Sequence, residues 1–65
     1  MDYVYKGDRE TADMFLELSR YGQARCEYYA LLQKTQKYNP GNTQLIDYCE
    51  RKIEECRKHE ESRSE

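Results

Sequence analysis

The side chains in this chain that are best suited to chemistry are three cysteines and one histidine. Cys56 and His59 are three residues apart, a spacing that could supply two zinc ligands from one face of a helix. A four-coordinate site needs more ligands, and Cys49 lies about 10.5 Å from Cys56 along a helix axis, too far to share an ion. The sequence therefore predicts no intrachain metal site and no cofactor.

The same cysteines bear on redox state. A Cys49–Cys56 disulfide within one helix is excluded, because bridged Cα atoms lie within about 7 Å of each other. A hairpin would bring Cys26 and Cys56 to one level, which leaves that disulfide as an alternative. The odd number of cysteines and the lack of a secretory signal favour reduced thiols and an intracellular location, in the cytoplasm or the nucleus. Reduced Cys49 and Cys56 are expected to be small buried hydrophobic residues.

Other functional patterns are weak. Carboxylates in the last third of the chain alternate with lysine and arginine, which is typical of a solvated helix face. We find no glycine-rich phosphate loop, no Ser-His-Asp set and no basic patch interleaved with aromatic residues. The net charge of −2 does not indicate general affinity for nucleic acid, and no apolar run reaches the length of a membrane span. We expect a protein that is not an enzyme.

Size and composition limit the fold. A chain of 65 residues forms one domain at most, and it buries only about 60% of its unfolded surface. Charged residues make up 37% of it, and the mean hydropathy is −1.24. Seven tyrosines partly compensate for the scarcity of aliphatic residues, because each has a large apolar body. These features favour a small helical domain that gains stability from a partner surface.

The middle of the chain carries the clearest structural signal. Apolar or small residues recur in steps of three and four, which predicts a helix from about residue 22 to 38; they are Tyr21, Ala24, Tyr28, Leu31, Thr35 and Tyr38. The string Asn39-Pro40-Gly41-Asn42 ends this helix, because Pro40 cannot continue it and Gly41 can adopt a positive φ.

A helix is also predicted on each side. The first covers about residues 9–20, with Asp8 as its N-cap and an apolar face of Thr11, Met14, Phe15 and Leu18. The last covers about residues 43–61, capped by Asn42 or Thr43, with a nearly heptad stripe of Leu45, Ile46, Cys49, Ile53 and Cys56. Residues 1–7 are predicted to be a flexible lead-in and 62–65 a frayed tail, with the alternative that Tyr3 and Tyr5 lie on the bundle or on a partner.

The joint before Tyr21 decides the architecture. The apolar positions from Phe15 to Ala24 follow three successive steps of three, and Gly22 weakens a helix by about 1 kcal/mol relative to alanine. Both features favour a break. The prediction is an all-α, single domain over residues 8–61, a small three-helix bundle. The alternative is a long two-helix antiparallel hairpin.

Part of the chain resembles a tetratricopeptide repeat followed by a capping helix. The resemblance covers about half the chain and rests on small and aromatic residues at Ala12, Phe15, Tyr21, Ala24, Tyr28 and on the closing Pro40. The chain departs from the family at Ser19, where glycine is usual, and at Leu31, where a small residue is usual. The microtubule-interacting-and-trafficking domain is the second choice. Either resemblance implies docking of a peptide or helix and no catalysis.

The expected interaction residues follow from the middle helix. Tyr28 and Tyr29 diverge by about 100° around a helix axis, so they cannot both face one neighbour. We predict that Tyr28 packs inside and that Arg25, Tyr29 and Leu32 form a partner-binding surface of an adaptor. The alternative for this surface is cover by the third helix.

Two other functions remain open at this point. The first is self-association as a structural or assembly subunit, in the manner of a coiled coil, through Ile46, Cys49, Ile53 and Cys56. The second, more remote, is a thiol- or metal-dependent protein.

Overall fold

The computed structural model describes residues 5–63, with side chains through Ser62, and it contains three helices. Helix α1 covers Arg9–Glu17, α2 covers Tyr21–Tyr38 and α3 covers Thr43–Arg63. The prediction of a small all-α three-helix domain is confirmed, and the two-helix alternative is wrong. The predictions for Tyr3, for the rest of residues 1–4 and for residues 64–65 lie outside the described residues.

Helix α2 is central, with α1 and α3 both packed on it. The two alanines of the core are completely buried, which lets the helices approach closely. The Cα positions extend over 39 × 28 × 16 Å, so the domain is thin. The core consists of Ala12, Phe15, Ala24, Tyr28 and Cys56, with Leu16, Tyr21, Tyr48 and Ile53 packed around it.

The break between α1 and α2 lies at Ser19, not at Gly22. The Arg20 N–H donates to the Phe15 carbonyl at 2.9 Å, and the Ser19 N–H donates to the Leu16 carbonyl at 3.0 Å. This pair of bonds defines a Schellman motif, in which the residue after the C-cap adopts the left-handed conformation. Ser19 is that residue, with φ of 60°, and Gly22 lies inside α2.

The second connection is formed by the predicted stop signal. The Asn42 N–H donates to the Asn39 carbonyl at 3.0 Å, which closes a reverse turn around Pro40 and Gly41. The Asn42 side chain then accepts the Leu45 N–H at 3.3 Å and caps α3. Gly41 can adopt a positive φ but does not do so here; in the described part of the chain Gly7 is the glycine with that conformation.

The buried face of α1 differs from the predicted one. Met14 and Leu18 are exposed, at 48% and 59%, while Leu16 packs against the core. Around the helix axis, Met14 and Leu16 lie about 100° to either side of Phe15. Helix α1 is oriented with the Leu16 side toward α2. Leu18 follows the last helical residue and therefore leaves the face. Asp8 occupies the N-cap position, but its side chain makes no capping hydrogen bond.

One carboxylate connects all three helices. The Tyr28 hydroxyl of α2 and the Tyr48 hydroxyl of α3 both donate to Oδ1 of Asp13 in α1, the latter at 2.8 Å. The Arg9 guanidinium lies 4.1 Å from the Tyr48 ring centroid and its Nε lies 3.8 Å from Asp13 Oδ2. Burial and the bond to Asp13 raise the pKa of Tyr28, which therefore remains a neutral donor.

Replacement of Ser19 by glycine tests the Schellman motif. A left-handed conformation is strained for a residue with a Cβ and costs glycine almost nothing, so Ser19→Gly should raise the free energy of unfolding by about 0.5–1 kcal/mol. Urea unfolding followed by circular dichroism measures this change. Ser19→Ala is the matched control, since it loses the same hydroxyl but keeps the Cβ. An equal gain in both variants would contradict the strain argument.

Removal of the shared acceptor tests the carboxylate network. Asp13→Ala leaves the Tyr28 and Tyr48 hydroxyls without their acceptor and should lower the free energy of unfolding by about 2–3 kcal/mol. Asp47→Ala is the control, because Asp47 makes an exposed ion pair with Arg51 that should contribute less than about 1 kcal/mol. Tyr28→Phe added to Asp13→Ala should cost little more, since the two residues form one network. A simple sum of the single effects would contradict this coupling.

Candidate interaction site

A groove runs along the side of α2 that faces the segment before α1. It has a volume of about 410 Å³. The α2 residues in its lining recur at helical spacing and so share one face. The lining consists of Tyr5, Arg25, Cys26, Tyr29, Ala30 and Gln33.

The aromatic wall from α2 is Tyr29, which is 52% exposed. Its neighbour Tyr28 is completely buried, as predicted from their divergence around the helix. The alternative in which the third helix covers this ridge does not hold at Tyr29, because half of that side chain meets solvent.

Arg25 is oriented by the third helix. Its Nε lies 2.8 Å from Oε1 of Glu60, and its Nη2 donates to Oε2 at 3.5 Å. The Nε–H itself does not meet hydrogen-bond geometry, so the contact is an ion pair rather than a bidentate bond. The guanidinium therefore meets the groove with its charge partly neutralised.

Tyr5 also lines the groove and belongs to residues 5–8, called here the N-terminal strap. The completely buried Glu27 accepts the Gly7 N–H at 2.8 Å and the Lys6 N–H at 3.2 Å. The Lys34 ammonium donates to the Lys6 carbonyl at 3.4 Å. The strap is therefore bound to α2, which agrees with the alternative that placed Tyr5 on the bundle.

Gly7 lets the strap approach the helix. Its φ is 69°, and a Cβ there would lie 3.3 Å from the Ala30 carbonyl carbon and 3.4 Å from the Ala30 Cβ. Both the conformation and the contact favour glycine. This close approach of Gly7 also brings Tyr5 to the groove. A hydrogen bond with Cys26 raises the pKa of the Tyr5 hydroxyl.

The three residues predicted to bind a partner do not all line the groove. Arg25 and Tyr29 line the groove, whereas Leu32 is half-buried on the same ridge and does not line it. Tyr5, Gly7 and Glu27 complete the site, and none of them belongs to the predicted partner-binding set of Arg25, Tyr29 and Leu32. The available signal was Glu27, a charged residue placed on the buried stripe between Ala24 and Leu31.

Side chains of the predicted self-association stripe pack within the domain itself. Cys49 and Cys56 are completely buried, and Ile53 packs against the core. Ile46 is half-buried. A second copy could reach the two cysteines only if the bundle opened, because neither exposes any surface.

All three thiols are free. Cys26 is half-exposed in the groove, while burial raises the pKa of Cys49 and raises that of Cys56 to about 11. His59 stacks on Tyr21 with the ring centroids 4.3 Å apart. Within the described residues, no three potential metal ligands of the His, Cys, Asp and Glu types come together.

No protein-family model matches the chain, and neither a curated protein nor a solved structure matches it significantly. None of the three described helices combines the length and apolar character that a membrane crossing requires. The class that the fold defines is a small all-α three-helix domain.

The thiols differ enough in burial to be distinguished chemically. Iodoacetamide should alkylate Cys26 of the folded chain first, because this residue is partly exposed and lines the groove. Cys49 and Cys56 should react only when the chain unfolds, since burial removes access and raises the pKa of both. Peptide mass spectrometry during the time course measures the order. In urea all three should react at similar rates, and alkylation of Cys56 as fast as Cys26 without urea would contradict the packing.

Proposed function

We propose that this chain is a non-enzymatic interaction module, an adaptor that docks a helix or peptide from a partner protein in the groove along α2. The observation that carries the proposal is Tyr29. This large aromatic side chain is half-exposed in a groove that Tyr5 also lines, and none of the lining residues comes from α1 or α3.

The chemistry of the groove fits a protein segment. Tyrosine and arginine are favoured anchors at interfaces, because they combine a broad apolar surface with a polar group. An apolar side chain of the partner would lie between the rings of Tyr5 and Tyr29, and backbone or polar groups would meet Gln33. Since Arg25 is already paired with Glu60, most of the binding free energy is assigned to the two aromatic side chains.

The resemblance to a tetratricopeptide repeat supports the same role. Four of the residues that carry it form the core in this structure, namely Ala12, Phe15, Ala24 and Tyr28. We infer a repeat-like hairpin with α3 as its capping helix, and the microtubule-interacting-and-trafficking type remains the second choice. An intracellular protein partner and no nucleic acid belong to this proposal.

Self-association is the alternative function, and one observation favours it. Met14 and Leu18 are both exposed near the C-terminal end of α1, so a second copy could cover these two side chains. The predicted stripe of α3 would contribute to such a contact through the half-buried Ile46 and Ile53, because Cys49 and Cys56 are completely buried. Sedimentation over a concentration series distinguishes the alternatives, since an adaptor that acts alone stays monomeric throughout.

Alanine substitution in the groove tests the docking proposal. Tyr29→Ala should weaken partner binding by about thirty-fold, equivalent to about 2 kcal/mol, because it removes the central aromatic contact. Leu32→Ala should have a smaller effect, since Leu32 does not line the groove. Far-UV circular dichroism should show unchanged helicity in both variants. Tyr38→Ala is the matched control, because Tyr38 is 72% exposed and lies outside the groove.

The assay must link a partner to this surface. A photo-reactive phenylalanine analogue at position 29 should cross-link to a single segment of the captured protein, identified by mass spectrometry. That protein should also be retained by Tyr38→Ala and lost by Tyr29→Ala. Binding that survives Tyr29→Ala, or a cross-link that maps to many unrelated proteins, would contradict docking in the groove.

A further inference from the structure

We propose that Glu27 is a positioning residue for the groove: its buried carboxylate binds the N-terminal strap to α2 and thereby places Tyr5 as the outer wall. Release of the strap would remove that wall and abolish the docking surface. The docking consequence rests on the proposed function, whereas the binding of the strap by Glu27 is a property of the chain alone.

The contacts of Glu27 are directed at the strap backbone. One carboxylate oxygen accepts the Gly7 N–H and the other accepts the Lys6 N–H, so two successive peptide groups are bound by one side chain. Hydrogen bonds to a charged acceptor are stronger than neutral ones. Glu27 is completely buried and does not line the groove, so its effect on a ligand acts through the strap.

The strap depends on this point of attachment. Gly7 is buried against Ala30, and its backbone reaches the helix because it lacks a Cβ. The strap backbone also accepts a longer, exposed bond from the Lys34 ammonium at the Lys6 carbonyl, at 3.4 Å. Tyr5 is 39% exposed, so its own burial against α2 is incomplete. The bonds made at Lys6 and Gly7 thus hold the backbone from which Tyr5 extends, and the Tyr5 hydroxyl bonds to Cys26 in the groove.

Two conformations follow. With the strap bound, Tyr5 and Tyr29 both line the groove. With the strap released, the groove becomes an open side of α2, and the surface of Ala30 and Leu31 beneath Gly7 meets water. The helices persist in both conformations, because the core of α1, α2 and α3 does not include the strap.

Trypsin provides a probe of the strap in the full chain. Its cleavage site after Lys6 is the Lys6–Gly7 bond, and both N–H groups bound by Glu27 flank that site. Cleavage needs an extended, accessible segment and therefore follows the population with the strap released. The measured quantity is the initial rate at which the fragment of residues 7–65 appears, by mass spectrometry.

Three substitutions should release the strap. Glu27→Gln removes the charge and presents an amide NH2 to a backbone donor. Glu27→Asp keeps the charge but shortens the side chain by one methylene. Gly7→Ala adds a Cβ at a positive φ against Ala30. Each should raise the rate of cleavage after Lys6 by about ten-fold, in line with loss of a charge-assisted bond. Glu50→Gln, an exposed residue of α3, is the matched control and should leave the rate unchanged.

The outcomes separate the strap from the docking function. An unchanged rate of cleavage after Lys6 in Gly7→Ala, and in the Glu27 variants that keep their helicity, would overturn the proposal. Because Gly7 lies outside the helices, Gly7→Ala remains informative if the Glu27 variants unfold. Faster cleavage together with partner binding as weak as in Tyr29→Ala would support it in full. Faster cleavage with unchanged partner binding would overturn the positioning role while leaving Tyr29 as the docking residue. Loss of the Tyr29 dependence would remove the proposed function and leave the strap result standing.

Discussion

The fold depends on the carboxylate of Asp13. A chain with few aliphatic residues must use tyrosine to fill its core, and a buried hydroxyl needs an acceptor. Asp13 supplies that acceptor to Tyr28 and to Tyr48, and these three residues come from three different helices. The Tyr28 and Tyr48 rings also meet edge to face, with centroids 6.0 Å apart. The directional bonds therefore fix how α1 and α3 lie on α2, which apolar contacts alone specify less sharply.

That arrangement explains the opposite roles of Tyr28 and Tyr29. The face of α2 that carries Tyr28 is filled by α1 and α3, whereas the face about 100° away is met by the N-terminal strap and, at Arg25, by Glu60 of α3. Tyr29 stays half-exposed there, in a groove that Tyr5 also lines. The groove is thus a consequence of packing two helices on one side of a third and does not require a sequence motif of its own.

The sequence was sufficient for features that depend on neighbouring residues. Periodicity predicted the three helices, and Asn39-Pro40-Gly41-Asn42 predicted the end of α2. The sequence was not sufficient for conformations that depend on distant residues. Ser19 adopts the left-handed conformation because α2 must turn back on α1, although glycine is usual at such a position. In the site, the ridge predicted that Arg25 and Tyr29 share a face, and both line the groove. The part played by Glu27 depends on contacts twenty and twenty-one residues away, for which local periodicity carries no signal.

Polar contacts join each peripheral element of this domain to its neighbours. Asp13 connects α1 to the two other helices, Glu60 of α3 pairs with Arg25, and Glu27 binds the strap. Apolar burial varies gradually with small displacements, whereas a hydrogen bond weakens steeply once its geometry is lost. The relative position of the elements should therefore be more sensitive to single substitutions than helical content is. Because the groove consists of the strap and one face of α2, its shape can change while every helix stays intact, and measurements of helicity alone would not detect that change.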